Sequence, residues 1–158
     1  GLSQRHRNTL KVPVVSKSAL VLHSAQQMYD LVCDFEAYPD FLPWCSDSRL
    51  ISRSAEKLCG ELEVSRVGIR QRFATCNYLV ENEKMEIELL EGPFRKLHGG
   101  WQFTELQPGA CKVELLLEFE FAGKLIDAAF GRVFSQVANS LVDAFCKRAD
   151  EVYGNGVK

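Results

Sequence analysis

From Leu58 to Phe121 apolar and polar residues alternate with a period of two. Leu58, Gly60, Leu62 and Val64 alternate with Cys59, Glu61, Glu63 and Ser65. Ile69, Phe73 and Leu79 alternate with Arg70, Arg72 and Tyr78; Met85, Ile87 and Leu89 alternate with Glu86 and Glu88. Leu97, Gly99, Trp101 and Phe103 follow, and then Val113, Leu115, Leu117, Phe119 and Phe121. Val67-Gly68, Gly92-Pro93 and Pro108-Gly109 punctuate the pattern as turns. Alternation of this kind predicts an antiparallel sheet with one dry face and one wet face. Upstream, Val12 to Leu22 is apolar and β-branched enough for a first strand. Ser24 and Gln27 form a capping-box pair that opens a short helix, with Met28, Leu31, Val32 and Phe35 on its buried side. Pro39 and Pro43 then forbid a long helix, which leaves a turn or a second small helix dense in aromatics.

Lys124 to Tyr153 changes the period. The stretch has no proline and places Ile126, Phe130, Val133, Val137, Leu141, Ala144 and Val152 on one arc, widened by Phe134 and Phe145. It reads as an amphipathic helix of roughly eight turns. Gly154 stands where a C-cap glycine would. The apolar arc is wide, and the strands are the material to cover it.

The order is therefore strand, two short helices, about six strands in a meander and one long helix. This is an α+β helix-grip arrangement, a curved antiparallel sheet of six or seven strands wrapped around the C-terminal helix. Residues 12–154 are expected to form one domain, flanked by a flexible basic tail at 1–11 and a short tail at 155–158. A sheet that grips a helix leaves room for an apolar pocket. Gly60 and Gly99, on the dry face, look like gaps in the packing, and Ala129 and Ala138 keep the helix narrow beside Phe130 and Val137. The expected lining is Phe41, Trp44, Phe73, Phe94 and Trp101 with Phe103, Phe130, Phe134, Val137 and Leu141. The plainer reading of any one of them is core.

Composition narrows the function classes. Nineteen basic and 21 acidic residues give a net charge of −2, so nothing pulls the whole chain toward DNA or an anionic membrane. Any such contact must be local. Arg66, Arg70 and Arg72 could form a phosphate or RNA patch, or pair with the glutamates at 86, 88, 114, 118 and 120 as a solvated hairpin. Arg148 interrupts the helix arc, either reaching solvent with its head or meeting a ligand head group at a cavity mouth. The six cysteines show no C-x-x-C pair, so they read as buried thiols of a reduced, cytoplasmic protein, with no zinc site. No secretory signal and no membrane-length apolar run is visible. His6, His23 and His98 are not placed to converge, and the inward polar candidates are few: Tyr38, Thr75, Asn77 and Ser140. This argues for binding over catalysis, with no catalytic residues, required cofactor or metal.

Three segments carry a resemblance: Tyr38-Pro-Asp-Phe-Leu-Pro-Trp-Cys45, Gly92-Pro-Phe-Arg-Lys-Leu-His-Gly-Gly-Trp-Gln-Phe103, and the run from Phe119 to Phe134. Taken together, over residues 13–153, the chain resembles the START-like coenzyme-Q-binding family. Within it the match is to the bacterial ribosome-association toxin branch of the polyketide cyclase/dehydrase and lipid-transport superfamily. The resemblance implies a START-like, Bet v 1-like helix-grip fold with a hydrophobic tunnel. It implies binding of ubiquinone or a related isoprenoid lipid in support of respiration, with transient contact at the inner membrane. It also implies a second role, blocking association of the ribosomal subunits through the large subunit. An aromatase or cyclase reading ranks third.

Overall fold

The computed structural model describes residues 14–66 and 68–154. The tails at 1–11 and 155–158 lie outside the described residues, as do Val12 and Val67. The elements follow the expected order. Strand β1 (Val14–Val21) leads to helix α1 (Ala25–Cys33), a 3-10 turn (Phe35–Ala37) and helix α2 (Tyr38–Phe41). Six strands follow: β2 (Cys45–Arg53), β3 (Lys57–Arg66), β4 (Ile69–Val80), β5 (Lys84–Glu91), β6 (Phe94–Gln107) and β7 (Ala110–Phe121). Helix α3 (Lys124–Tyr153) closes the fold.

The capping box forms as the sequence requires. Gln27 N–H donates to Ser24 Oγ at 3.1 Å, and Ser24 N–H donates to Gln27 Oε1 at 2.9 Å. Together they satisfy two backbone donors at the start of α1. The seven strands form one antiparallel sheet in the order β1-β7-β6-β5-β4-β3-β2. Only β1 leaves the meander, pairing with β7 through Val15 opposite Leu117 and Ala19 opposite Val113. Helix α3 lies against β1, β7, β4 and α1.

Among the described side chains the buried stripe of α3 comprises Phe130, Phe134, Val137, Ala138, Val142, Phe145 and Ala149, and the side chain of Ile126 lies outside them. The far end of the stripe differs from the arc counted in the sequence. Val152 is 48% exposed, the stripe running instead through Val142 and Ala149, and near the start of the helix Ala129 is exposed as well. Arg148 thereby falls at the edge of the stripe. Its guanidinium lies 4.9 Å from the Phe41 ring centroid, and its Nη1 is 3.8 Å from Glu151 Oε1.

Two readings of the sheet need correction. Gly60 is not a gap: a Cβ there would collide with the Phe35 ring, which fills the space. Gly99 is not one either. Its φ of +148° brings the β6 backbone so close to Leu116 of β7 that a Cβ would overlap the Leu116 carbonyl. The six-thiol reading also fails at two positions. Cys59 and Cys76 face each other across β3 and β4 with Cα atoms 4.1 Å apart and are joined by a disulfide. Period-two counting puts both on the same outer face but cannot by itself say which strands pair.

Candidate functional site

The site is a cavity of about 80 Å³ between α3 and the sheet. From α3 it is walled by Phe134, Val137, Ala138, Leu141 and Phe145. The sheet contributes Leu62, Phe73 and Met85, with Leu97, Trp101 and Leu117 beside them. The short helical segment closes it with Phe35, Tyr38 and Trp44. The strand alternation aims every second residue inward, and the 3-10 turn and α2 bring the aromatics of residues 35–44 over the open end.

Of the ten residues expected to line a tunnel, Trp44, Phe73, Trp101, Phe134, Val137 and Leu141 are brought together. Phe94 and Phe130 lie elsewhere, in a solid aromatic cluster under the first half of α3. Their ring centroids are 5.8 Å apart, and Phe94 is also 4.9 Å from Phe134 and 5.2 Å from Phe121. This cluster fills what a through-tunnel would need. Phe103 packs edge-on against Tyr29 of α1, with centroids 6.0 Å apart. Phe41 sits outside the cavity, against Tyr38, Phe145 and Arg148. Phe35, Met85, Leu97, Leu117 and Phe145 are wall residues that the sequence reading of the lining missed. The alternation placed four of them inward or on the buried arc, but inward positions near a cavity carry no mark distinguishing them from core.

Three polar side chains reach this space. Tyr38 is buried, and its hydroxyl donates to the Val32 carbonyl. Burial pushes its phenol pKa far above the ordinary value, so it stays neutral. Thr75 and Asn77 stand two apart on β4 and are 7% and 4% exposed. Asn77 Oδ1 is buried and has no hydrogen-bond partner. Ser140, the fourth inward candidate, is exposed, and its hydroxyl donates to the Val137 carbonyl one turn back.

Trp44 also borders a groove on the outside of α3, shared with Phe41, Pro43, Arg66, Lys147 and Arg148. Trp44 therefore lines both the cavity and the groove. The expected arginine patch is largely paired within its own corner of the sheet. Arg72 meets Glu61 at 2.9 Å, Asp47 at 3.1 Å and Glu63 at 3.2 Å, and Arg70 meets Glu63 at 3.4 Å. The partners come from β2 and β3 rather than from the glutamates at 86, 88, 114, 118 and 120, because β4 pairs with β3 on that side of the hairpin. Arg66 is exposed at the end of β3, beside the outer groove.

His23 is buried outside the cavity, with Nε2 2.8 Å from Asp150 Oδ1. His98 Nε2 is 3.7 Å from Glu118 Oε1 on the wet face. Among the described residues no cluster of metal-ligating side chains occurs, and no helix is long and apolar enough to cross a membrane.

Comparison with known proteins agrees with this architecture. The chain is 47% identical over 142 residues to the ribosome association toxin RatA of Escherichia coli K12, covering 90% of each chain. It is 29% identical over 143 residues to the mitochondrial coenzyme Q-binding protein COQ10 homolog B of Xenopus laevis, covering 88% of this chain and 59% of that one. The crystal structure of the Zhui aromatase/cyclase from Streptomyces sp. R1128 superposes with a TM-score of 0.75 at 18% identity, over 92% of this chain and 99% of that one. The pattern of the polyketide cyclase / dehydrase and lipid transport family matches residues 21–146, four-fifths of the chain and all of the walls described above. A START-like sheet gripping one helix over an apolar cavity, in a chain matched over that whole span, makes this protein a member of the polyketide cyclase/dehydrase and lipid transport family.

Proposed function

We propose that the protein binds the ring of an isoprenoid quinone, ubiquinone or a close relative, in the cavity under α3, and does so without turning it over. One observation carries the reading: an apolar cavity flanked by two tryptophans is lined by the buried amide side chain of Asn77. Apolar walls suit a ring, and the Asn77 NH2 is the group that would donate to a ring carbonyl. Similarity to a protein named for coenzyme Q binding points the same way. The cavity of about 80 Å³ is smaller than the roughly 150 Å³ that accommodates benzene in an engineered core. Entry of a quinone therefore requires the wall to move. Trp44 is the residue to swing, because it joins the cavity to the outer groove, where an isoprenoid tail would lie along Phe41 and the stems of Lys147 and Arg148. Each tail methylene buried there contributes roughly 0.8 kcal/mol. The natural setting is the cytoplasm with transient contact at the inner membrane, where the lipid is loaded. The test is extraction of lipid from the purified protein followed by mass spectrometry. Co-purifying quinone supports the reading; protein that is empty and also rejects added quinone sinks it.

A second reading has its own observation, the 47% identity to a protein named as a ribosome association toxin. We infer a separate surface for such a role, directed at the large ribosomal subunit. Arg66 and Arg70 are its cationic candidates, since Arg72 is engaged by three carboxylates. Sucrose-gradient profiles with excess protein decide this, and Arg66→Glu with Arg70→Glu should abolish the effect without changing quinone binding. An aromatase or cyclase role ranks below both: the similarity to Zhui, at 18% identity, speaks to fold, and the Tyr38 hydroxyl is engaged by a backbone carbonyl.

A further inference from the structure

Phe73 and Phe134 are walls of the cavity, and Phe94 packs behind both, with ring centroids at 5.6 Å and 4.9 Å. On its other side Phe94 stacks on Phe121 at 5.2 Å, and Phe121 is only half-buried. Phe94 thus stands between two cavity walls and a ring that reaches the surface. The backbone sets it in place. Gly92 has a φ of +152°, and a Cβ there would stand 2.6 Å from Cβ of Phe73, so only glycine lets the chain pass at this point. Pro93 follows with its fixed φ, and its carbonyl accepts from Ala122 N–H at 3.0 Å, tying the start of β6 to the end of β7. The Trp44 side of the cavity, by contrast, opens on the outer groove.

We propose that Phe94 is the stopper of the cavity and the residue that sets its specificity for lipids ending in a ring. The inference rests on the quinone reading above and adds which lipids the site refuses. A straight alkyl chain gains affinity methylene by methylene, and only where a channel runs on. Here the space ends at Phe94, because displacing that ring disturbs its edge-on contacts with Phe73, Phe130 and Phe134 as well as the stack on Phe121. A blind space favours a short, broad group, which buries its surface without needing depth. The ring enters from the Trp44 side and stops against Phe73 and Phe134, and its tail stays in the groove. Truncation of Phe94 opens the space toward Phe121, since a packed core closes only partly over a lost ring. The opened site takes the straight chain that the natural one turns away.

The experiment is calorimetric titration of the full chain and its variants with decyl-ubiquinone and with dodecanol, a straight-chain alcohol without a ring. The wild type is expected to bind decyl-ubiquinone and to bind dodecanol much more weakly. Phe94→Ala is expected to tighten dodecanol binding by roughly tenfold, as about two methylenes occupy the place of the ring. Phe94→Leu, a smaller loss of volume should the alanine variant not fold, is expected to give part of that gain. Phe103→Leu removes a ring that packs on Tyr29, away from this path, and should give none. Equal affinity of the wild type for the two probes overturns this inference. So does the absence of any gain in both Phe94 variants, or an equal gain in Phe103→Leu, which would mean a loosened fold rather than an opened stop. Each of these results leaves the quinone reading standing. Absence of decyl-ubiquinone binding by the wild type overturns both.

Discussion

The ring of Phe35 occupies the space directly over Gly60, with its Cζ 2.6 Å from where a Cβ would stand. The 3-10 turn is thereby seated on β3, and the cavity gains an aromatic wall. Gly60→Ala forces the ring off this seat. The expected cost is about 1–3 kcal/mol, typical of overpacking. Phe35→Leu in the same chain should recover part of the loss. A double-mutant cycle in urea reads the coupling, and additive effects would contradict the contact.

His23 and Asp150 tie the entrance of α1 to the last turns of α3. The imidazole is 4% exposed, and the carboxylate reaches it from the surface at 2.8 Å. Asp150→Ala leaves a buried ring nitrogen without its partner and should lower stability by about 1–2 kcal/mol. Asp150→Asn keeps a hydrogen-bonding group and should cost less. Thermal unfolding of the two variants gives the order. Equal midpoints would mean that the bond is not formed in solution.

The Cys59–Cys76 link spans 17 residues of sequence. Closing a loop of that size restricts the unfolded chain by about 3 kcal/mol. Reductant should therefore move the urea midpoint downward. The denatured, unreduced chain should titrate four thiols, Cys33, Cys45, Cys111 and Cys146, and six after reduction. Six thiols before reduction would contradict the bridge.

Burial pushes those four thiols from an ordinary pKa of 9.0 up to about 11. Between pH 9 and 11 the unfolded chain has released protons that the folded chain retains. The unfolded state binds fewer protons, so stability falls as pH rises through this window. Burial shifts the Tyr29 and Tyr38 phenols in the same direction and extends the loss upward. The urea midpoint should be flat in pH from 7 to 8.5 with respect to these groups and should decline above 9. At pH 7.5, alkylation of the folded chain should be slow at all four thiols.

Most of the fold is legible in the chain because two periods write it. The strands from β3 to β7 alternate cleanly, and the Ser24–Gln27 pair and the run to Tyr153 mark the helices. What is not legible is what depends on neighbours. Gly60 and Gly99 look alike in a strand pattern, yet one yields to a ring from the 3-10 turn and the other to a close carbonyl on β7. Cys59 and Cys76 become partners only once β3 and β4 are in register. At the site, Trp44, Trp101 and Phe134 could be read as large inward residues. Phe94 and Phe130 have the same appearance, and only packing tells plug from wall. Asn77 was visible as an inward polar residue, but its missing partner is a property of the assembled cavity.

The central claim is that the cavity under α3 receives a quinone ring. Both tryptophans of the chain, Trp44 and Trp101, line that cavity, so intrinsic fluorescence reports on it directly. Titration with decyl-ubiquinone should quench the emission with saturation at one equivalent. Ala138→Leu, which fills the space from α3 while leaving both indoles in place, should remove the saturable part. Quenching that rises without saturation, and equally in the wild type and in Ala138→Leu, would contradict the account.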